Sequence, residues 1–300
     1  MKYILKIQAL GKYPELDISS EEFHKIKLSR ETLNYALSIA EKFEILLSNY
    51  LDLEKEILSI SADSLVSSPS NHIEFFQNRI STNRRIVNLL TSTKLYVDQV
   101  PSHVKSIFSG VEDKFKEAQS YFNEEYDASF EYRLMEALRN HVQHNGLAVH
   151  STSYPFKWTD EEESRIELKT QIFVSKIELS KNKKFKKSTL NEMPEKYDLL
   201  LAARGYVGSL SIIHSKIVGL IEEVSNQSRN TIDLSIEKYV KESDGLKVGL
   251  SAFKLKEAEP ISDIIERVAV LTDWDDVRLM LNKKHKQIGN LKMKFVTNRL

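Results

Sequence analysis

Apolar residues along this 300-residue chain recur mostly at steps of three and four, the spacing that lays side chains on one face of an α-helix. The strongest stripe begins near Glu31 and runs through Leu33, Ala36, Leu37, Ala40, Phe43, Leu47, Tyr50 and Leu51, predicting a helix to about Ile60. Before it, KYILKIQA (2–9) has the length and composition of a short strand, and Ser19 and Glu22 in SSEEF have capping-box spacing. SADSLVSSPSN (61–71) reads as a polar loop. A second stripe follows through Ile73, Phe76, Ile80, Val87, Leu90 and Val97, and Pro101 is expected to stop it. A third runs through Phe108, Val111, Phe115, Ala118 and Phe122, breaks near Asp127, and resumes at Phe130, Leu134, Ala137 and Leu138. Asn145 and Gly146 then supply a helix C-terminal signal.

The period changes in SRIELKTQIFVSKIELS (164–180), where apolar residues alternate and shift phase near Ser175, the pattern of strands with a bulge or turn. Helices return from about Ser188, with Leu199, Tyr206, Leu210, Ile217, Ile221 and Val224 on one face and weaker helical patterns beyond. The expected architecture is mainly α: a helical bundle with a small β insertion. Residues 1–225 form the helical domain, and 226–300 a C-terminal helical extension, separate or part of the same domain, with a minor boundary at SNQSRN (225–230). No internal repeat interrupts this pattern.

Composition supports long helices, because nine glycines and six prolines in 300 residues leave few tight turns. Forty-three basic and 43 acidic residues cancel, so a polyanion would have to meet a local patch. The absence of cysteine excludes disulfides, thiol nucleophiles and thiolate metal sites, and suits a reducing cytoplasm. Lys6 and Gln8 interrupt the apolar N-terminus, so no signal peptide is expected, and no run of 18 apolar residues predicts a membrane span.

The densest chemistry lies in LRNHVQHNG (138–146). At 100° per residue, His141 extends the apolar stripe, His144 sits on its rim, Asn140 lies about 40° from His144, and Arg139 about 140° away. Histidine can exchange protons near neutrality, and arginine carries a permanent fork that matches phosphate oxygens. Together they suit RNA cleavage without a metal, through proton transfer at the attacking 2′-hydroxyl or the leaving oxygen. The angle between Arg139 and His144 then calls for a break in the helix or a second copy of the chain.

RNHVQH resembles the Arg, polar residue, spacer, His signature of the HEPN (higher eukaryotes and prokaryotes nucleotide-binding) superfamily. EALRNHVQHNGLAVH and KKFKKSTLNEM also resemble stretches of uncharacterised bacterial HEPN-like proteins. The resemblance spans about residues 30–225, with the short motif its diagnostic part. It implies a helical bundle, a homodimer with a composite site, and metal-independent endoribonuclease activity of the kind found in toxins and antiphage-defence effectors. Carried over, Arg139 would hold the phosphate, His144 would be the acid and base, and Asn140 would orient or bind. The products would be a 2′,3′-cyclic phosphate and a 5′-hydroxyl end. The superfamily also contains inactive scaffolds.

KNKKFKK (181–187) offers a second candidate, in which Lys183, Lys184, Lys186 and Lys187 contact RNA phosphates while Phe185 stacks on a base. Plainer readings stand beside these. Arg139 is a surface ion-pair partner, Asn140 a surface amide, His144 a cation at a helix end, His141 and His214 packed core histidines, and the lysines a solvated turn. NKKHKQIGNLKMK (282–294) and TDEEES (159–164) read as ordinary charged surface. His141, His144 and His150 could hold zinc, but no cysteine or fourth ligand accompanies them. The expectation is an enzyme with no metal or cofactor, acting on RNA in the cytoplasm with no membrane partner. The alternative is a noncatalytic helical dimeric interaction protein.

Overall fold

The computed structural model describes residues 1–67, 71–160, 165–256, 263–286, 288, 290–294 and 296. The chain is mainly α. In order, β1 (Lys2–Ile7) and β2 (Leu16–Asp17) precede the long helices α1 (Ser20–Val66) and α2 (His72–Ile107), then α3 (Glu112–Ala128) and α4 (Phe130–His144). A mixed stretch follows: β3 (Ser151–Ser153), β4 (Phe156–Asp160), β5 (Arg165–Leu168), β6 (Gln171–Ser175), α5 (Lys176–Ser180), α6 (Lys187–Glu192) and β7 (Lys196–Asp198). The chain continues with α7 (Leu199–Val240), β8 (Leu250–Lys256), β9 (Asp263–Ala269), α8 (Asp275–His285) and a 3-10 turn at Leu291–Met293.

Local chemistry explains where several elements begin. At the start of α1 the Ser19 hydroxyl accepts from the Glu22 amide at 3.0 Å, while the Glu22 carboxylate accepts from the Ser19 amide at 2.7 Å, a closed capping box. The break near Asp127 is real: Ser129, with extended backbone, accepts from the Tyr132 amide and caps α4.

Other expectations are corrected. Residues 61–66 continue α1, because Ser61 and Ser64 donate their hydroxyls back to the Ile57 and Ile60 carbonyls, at 2.9 and 2.7 Å, instead of breaking the helix. Pro101 lies inside α2. It removes one backbone hydrogen bond, yet the helix continues with Val100, Val104 and Ile107 buried at helical spacing. The phase shift at Ser175 is the start of α5, not a second strand, so Leu179 is buried and Ile177 exposed on helical geometry. SNQSRN (225–230) lies within α7. The β content extends beyond 164–180, and the C-terminal region is not helical throughout, since β8 and β9 form a hairpin there.

The chain divides into two compact units. The first comprises Met1–Glu41, Val100–Ala118 and Ser215–Lys286. Its sheet has the order β2-β1-β8-β9, all neighbours antiparallel, and covers a core that includes Leu5, Phe23, Leu33, Ile232 and Tyr239. The second comprises Lys42–Gln99, Gln119–His214 and Gln287–Leu300. It holds a sheet of order β3-β6-β7 and the β4-β5 hairpin. His214, 2% exposed, is core as expected: its ring stacks on Phe43 at 3.9 Å and its Nδ1 lies 2.9 Å from the Tyr96 hydroxyl.

Candidate functional site

The candidate residues lie in the second unit, around the last turns of α4. Tyr132, Leu134, Met135 and Leu138 anchor the helix in the core. Its neighbour α3 is closed by Arg133, whose guanidinium donates to the Tyr126 and Asp127 carbonyls at 2.9 and 2.7 Å. The chain leaving α4 is fixed by Asn83, a buried residue of α2 whose Oδ1 accepts from the Ala148 and Val149 amides at 3.0 and 2.9 Å.

The helix ends where the sequence signals it, by a different route from the usual glycine. The Asn145 and Gly146 amides both donate to the His141 carbonyl, at 2.8 and 3.2 Å. Gly146 is not in the left-handed region. A Cβ there would stand 3.3 Å from His141 Nε2, so the glycine leaves room for the imidazole.

Beside this helix end is a cleft of about 710 Å³. Asn140, His141 and His144 line it from α4, and Asn182, Lys184 and Lys186 line it from the turn between α5 and α6. The two segments singled out in the sequence, 138–146 and 181–187, thus meet on one concave surface. Tyr126 of α3 and Glu136 of α4 complete it.

Not every candidate faces the cleft. Arg139 does not line it; its Nη1 donates to Asn140 Oδ1 at 3.0 Å, and its buried Nε has no hydrogen-bond partner among the described residues. Arg139 thus holds the oxygen of the Asn140 amide and leaves its NH2 as the end turned away from the guanidinium. Phe185 does line the cleft, but it is only 5% exposed and meets the His141 ring edge-on at 6.1 Å. Its ring is part of the core, not the free platform that base stacking requires. Lys183 and Lys187 are exposed and lie off the cleft wall. Lys186 donates to the Tyr126 hydroxyl and sits 4.6 Å from the centre of that ring, a cation held in place at the cleft edge.

His141 and His150 lie edge-to-face at 6.2 Å, and burial pushes both imidazoles below the usual histidine range. For His150 the neighbouring His141 adds to the effect. His150 Nδ1 accepts from the Ser175 amide at 2.9 Å. Among the described residues no three His, Asp or Glu side chains gather as a metal site, so His141, His144 and His150 do not form the zinc set weighed from sequence.

Glu136, Tyr126 and Asn182 were not singled out in the sequence. Glu136 was within reach, because it precedes Asn140 and His144 by four and eight residues and so shares their helical face. It accepts a hydrogen bond from the buried Tyr206 hydroxyl. No local pattern marks Tyr126 or Asn182, which only the tertiary fold brings here. Residues 161–164 of the acidic run lie outside the described residues. So do 287 and 289 of the second basic run, in which Asn282–His285 belong to α8 and Lys292 pairs with Glu131 at 2.8 Å.

The fold and site define a mainly α chain with a polar, partly cationic cleft at a helix C-terminus. No described helix is long and apolar enough to cross a membrane. Comparison with protein-family models, with curated proteins and with solved structures gives no match for this chain.

Proposed function

We propose that this cleft binds RNA and that the protein is a metal-independent endoribonuclease. One observation carries the reading: His144 and Asn140 share a single cleft with Lys184 and Lys186, although about 40 residues separate the two segments. The lysines supply charge for phosphates, and Asn140 supplies an amide donor whose orientation Arg139 fixes. His144, exposed at the helix end, moves protons.

The reaction balances without a metal. The 2′-oxygen attacks phosphorus and its proton passes to a base; the bond to the 5′-oxygen breaks, and that oxygen takes a proton, leaving a 2′,3′-cyclic phosphate and a 5′-hydroxyl. The protein acts as a homodimer, in which a second copy can bring Arg139 against the phosphate. A cytoplasmic toxin or antiphage-defence role belongs to the same proposal and rests on the HEPN resemblance.

The position of Arg139 also favours a second reading, a noncatalytic RNA-binding or interaction protein. Purified protein incubated with several RNAs in EDTA separates the two. Cleavage that His144→Ala lowers by about 10²-fold or more supports the enzyme. Binding without cleavage supports the second reading, and neither binding nor cleavage rejects both forms of RNA recognition.

A further inference from the structure

The helical angle predicts His141 as a packing residue, but its hydrogen bonds specify more than packing needs. Its Nδ1 lies 3.1 Å from Asn182 Nδ2. A second bond fixes which way round that amide sits: the Lys184 backbone N–H, which can only donate, lies 3.0 Å from Asn182 Oδ1. Asn182 therefore presents its NH2 to the imidazole, and Nδ1 accepts. An imidazole that accepts at Nδ1 is neutral and carries its one N–H on Nε2. That nitrogen is the one for which Gly146 leaves room, and the ring lines the cleft.

We infer that His141 is a neutral hydrogen-bond donor, offering its Nε2–H to a phosphate oxygen of RNA held in the cleft. The inference rests on the RNA reading above and assigns a residue to it. His144 moves protons; His141 keeps its own and stabilises charge on an oxygen that is not transferred. A preorganised neutral donor does this without reorganising as charge develops. Arg139 does not line the cleft, so within one chain His141 supplies a donor that the motif arginine does not. Burial of the ring disfavours the imidazolium and holds the donor form.

Substitutions divide this role from packing. Glutamine at 141 retains an N–H near the Nε2 position, whereas phenylalanine keeps a ring without a donor. Asn182→Asp replaces the donor to Nδ1 by an acceptor and should move the ring proton to Nδ1. The test uses the full chain, imidazole 15N spectra, and a 2′-O-methyl RNA oligonucleotide, which can bind but cannot be cleaved. Expected are an Nε2-protonated His141 in the free protein and a shifted Nε2–H signal on binding. Affinity should fall more in His141→Phe than in His141→Gln at matched thermal stability, and cleavage of ordinary RNA should fall about 10²-fold in His141→Phe. An Nδ1-protonated ring, His141 signals unmoved by an RNA that does bind, or wild-type cleavage by a folded His141→Phe would each overturn the inference while leaving the ribonuclease reading in place. An RNA that neither binds nor is cleaved by the wild type removes both.

Discussion

Gly146 and His141 show how closely backbone and chemistry are tied at the end of α4. Gly146→Ala puts a methyl 3.3 Å from His141 Nε2 with no backbone strain. Unfolding free energy should therefore fall by no more than about 1 kcal/mol, while RNA affinity or cleavage falls more. Chemical denaturation beside a binding assay checks this, and equal losses would make the glycine merely structural. The histidine pair also predicts a pH dependence. His141 and His150 are held below their ordinary range, so the unfolded chain binds more protons than the folded one below about pH 6.5. Their contribution is complete above that value and is lost as pH falls through the lower folded-state values. Glu178 and Lys181, near His150, act in opposite directions on it. Denaturation at pH 8, 6.5 and 5 should show this loss, and His141→Gln should reduce it. An unchanged slope would contradict the assignment.

Helix ends and the loops that hold them carry the site at the scale of elements. Asn83→Ala leaves the buried Ala148 and Val149 amides without their acceptor. It should cost about 2–4 kcal/mol and raise hydrogen exchange selectively at residues 147–150; uniform exchange would show that Asn83 does not hold this loop. Capping at Ser19 was legible from sequence because the box is written in residues three apart, whereas before α4 only the break near Asp127 was, and not its Ser129 cap. The serines of 61–66 were not, since a hydroxyl that breaks a helix in one setting bonds back to it in another. Strand β8 was hidden for a different reason: Leu250 to Phe253 are all buried, so the alternation that marks a half-exposed strand is missing.

For the whole molecule, a balanced charge of 43 against 43 gives no general attraction to RNA, so the proposed binding would draw on the local cations. Lys184→Ala and Lys186→Ala should each reduce the salt dependence of RNA binding, by up to about 0.7 in the log–log slope for single strands. Lys187→Ala, off the cleft wall, should change it less, and equal effects from all three would argue for a diffuse surface. Of the site, Asn140 and His144 could be placed on a shared face from helical geometry alone. Their meeting with Lys184 and Lys186 could not, because it depends on how α5, α6 and α4 pack, and neither could the burial of Phe185, which the same packing imposes. The most direct test of the central claim is cleavage of RNA in EDTA by the wild type and His144→Ala, with product ends determined. The ribonuclease account predicts 2′,3′-cyclic phosphate and 5′-hydroxyl ends, produced at least about 10²-fold more slowly by the variant. Cleavage that requires added metal, or that His144→Ala leaves unchanged, would contradict it.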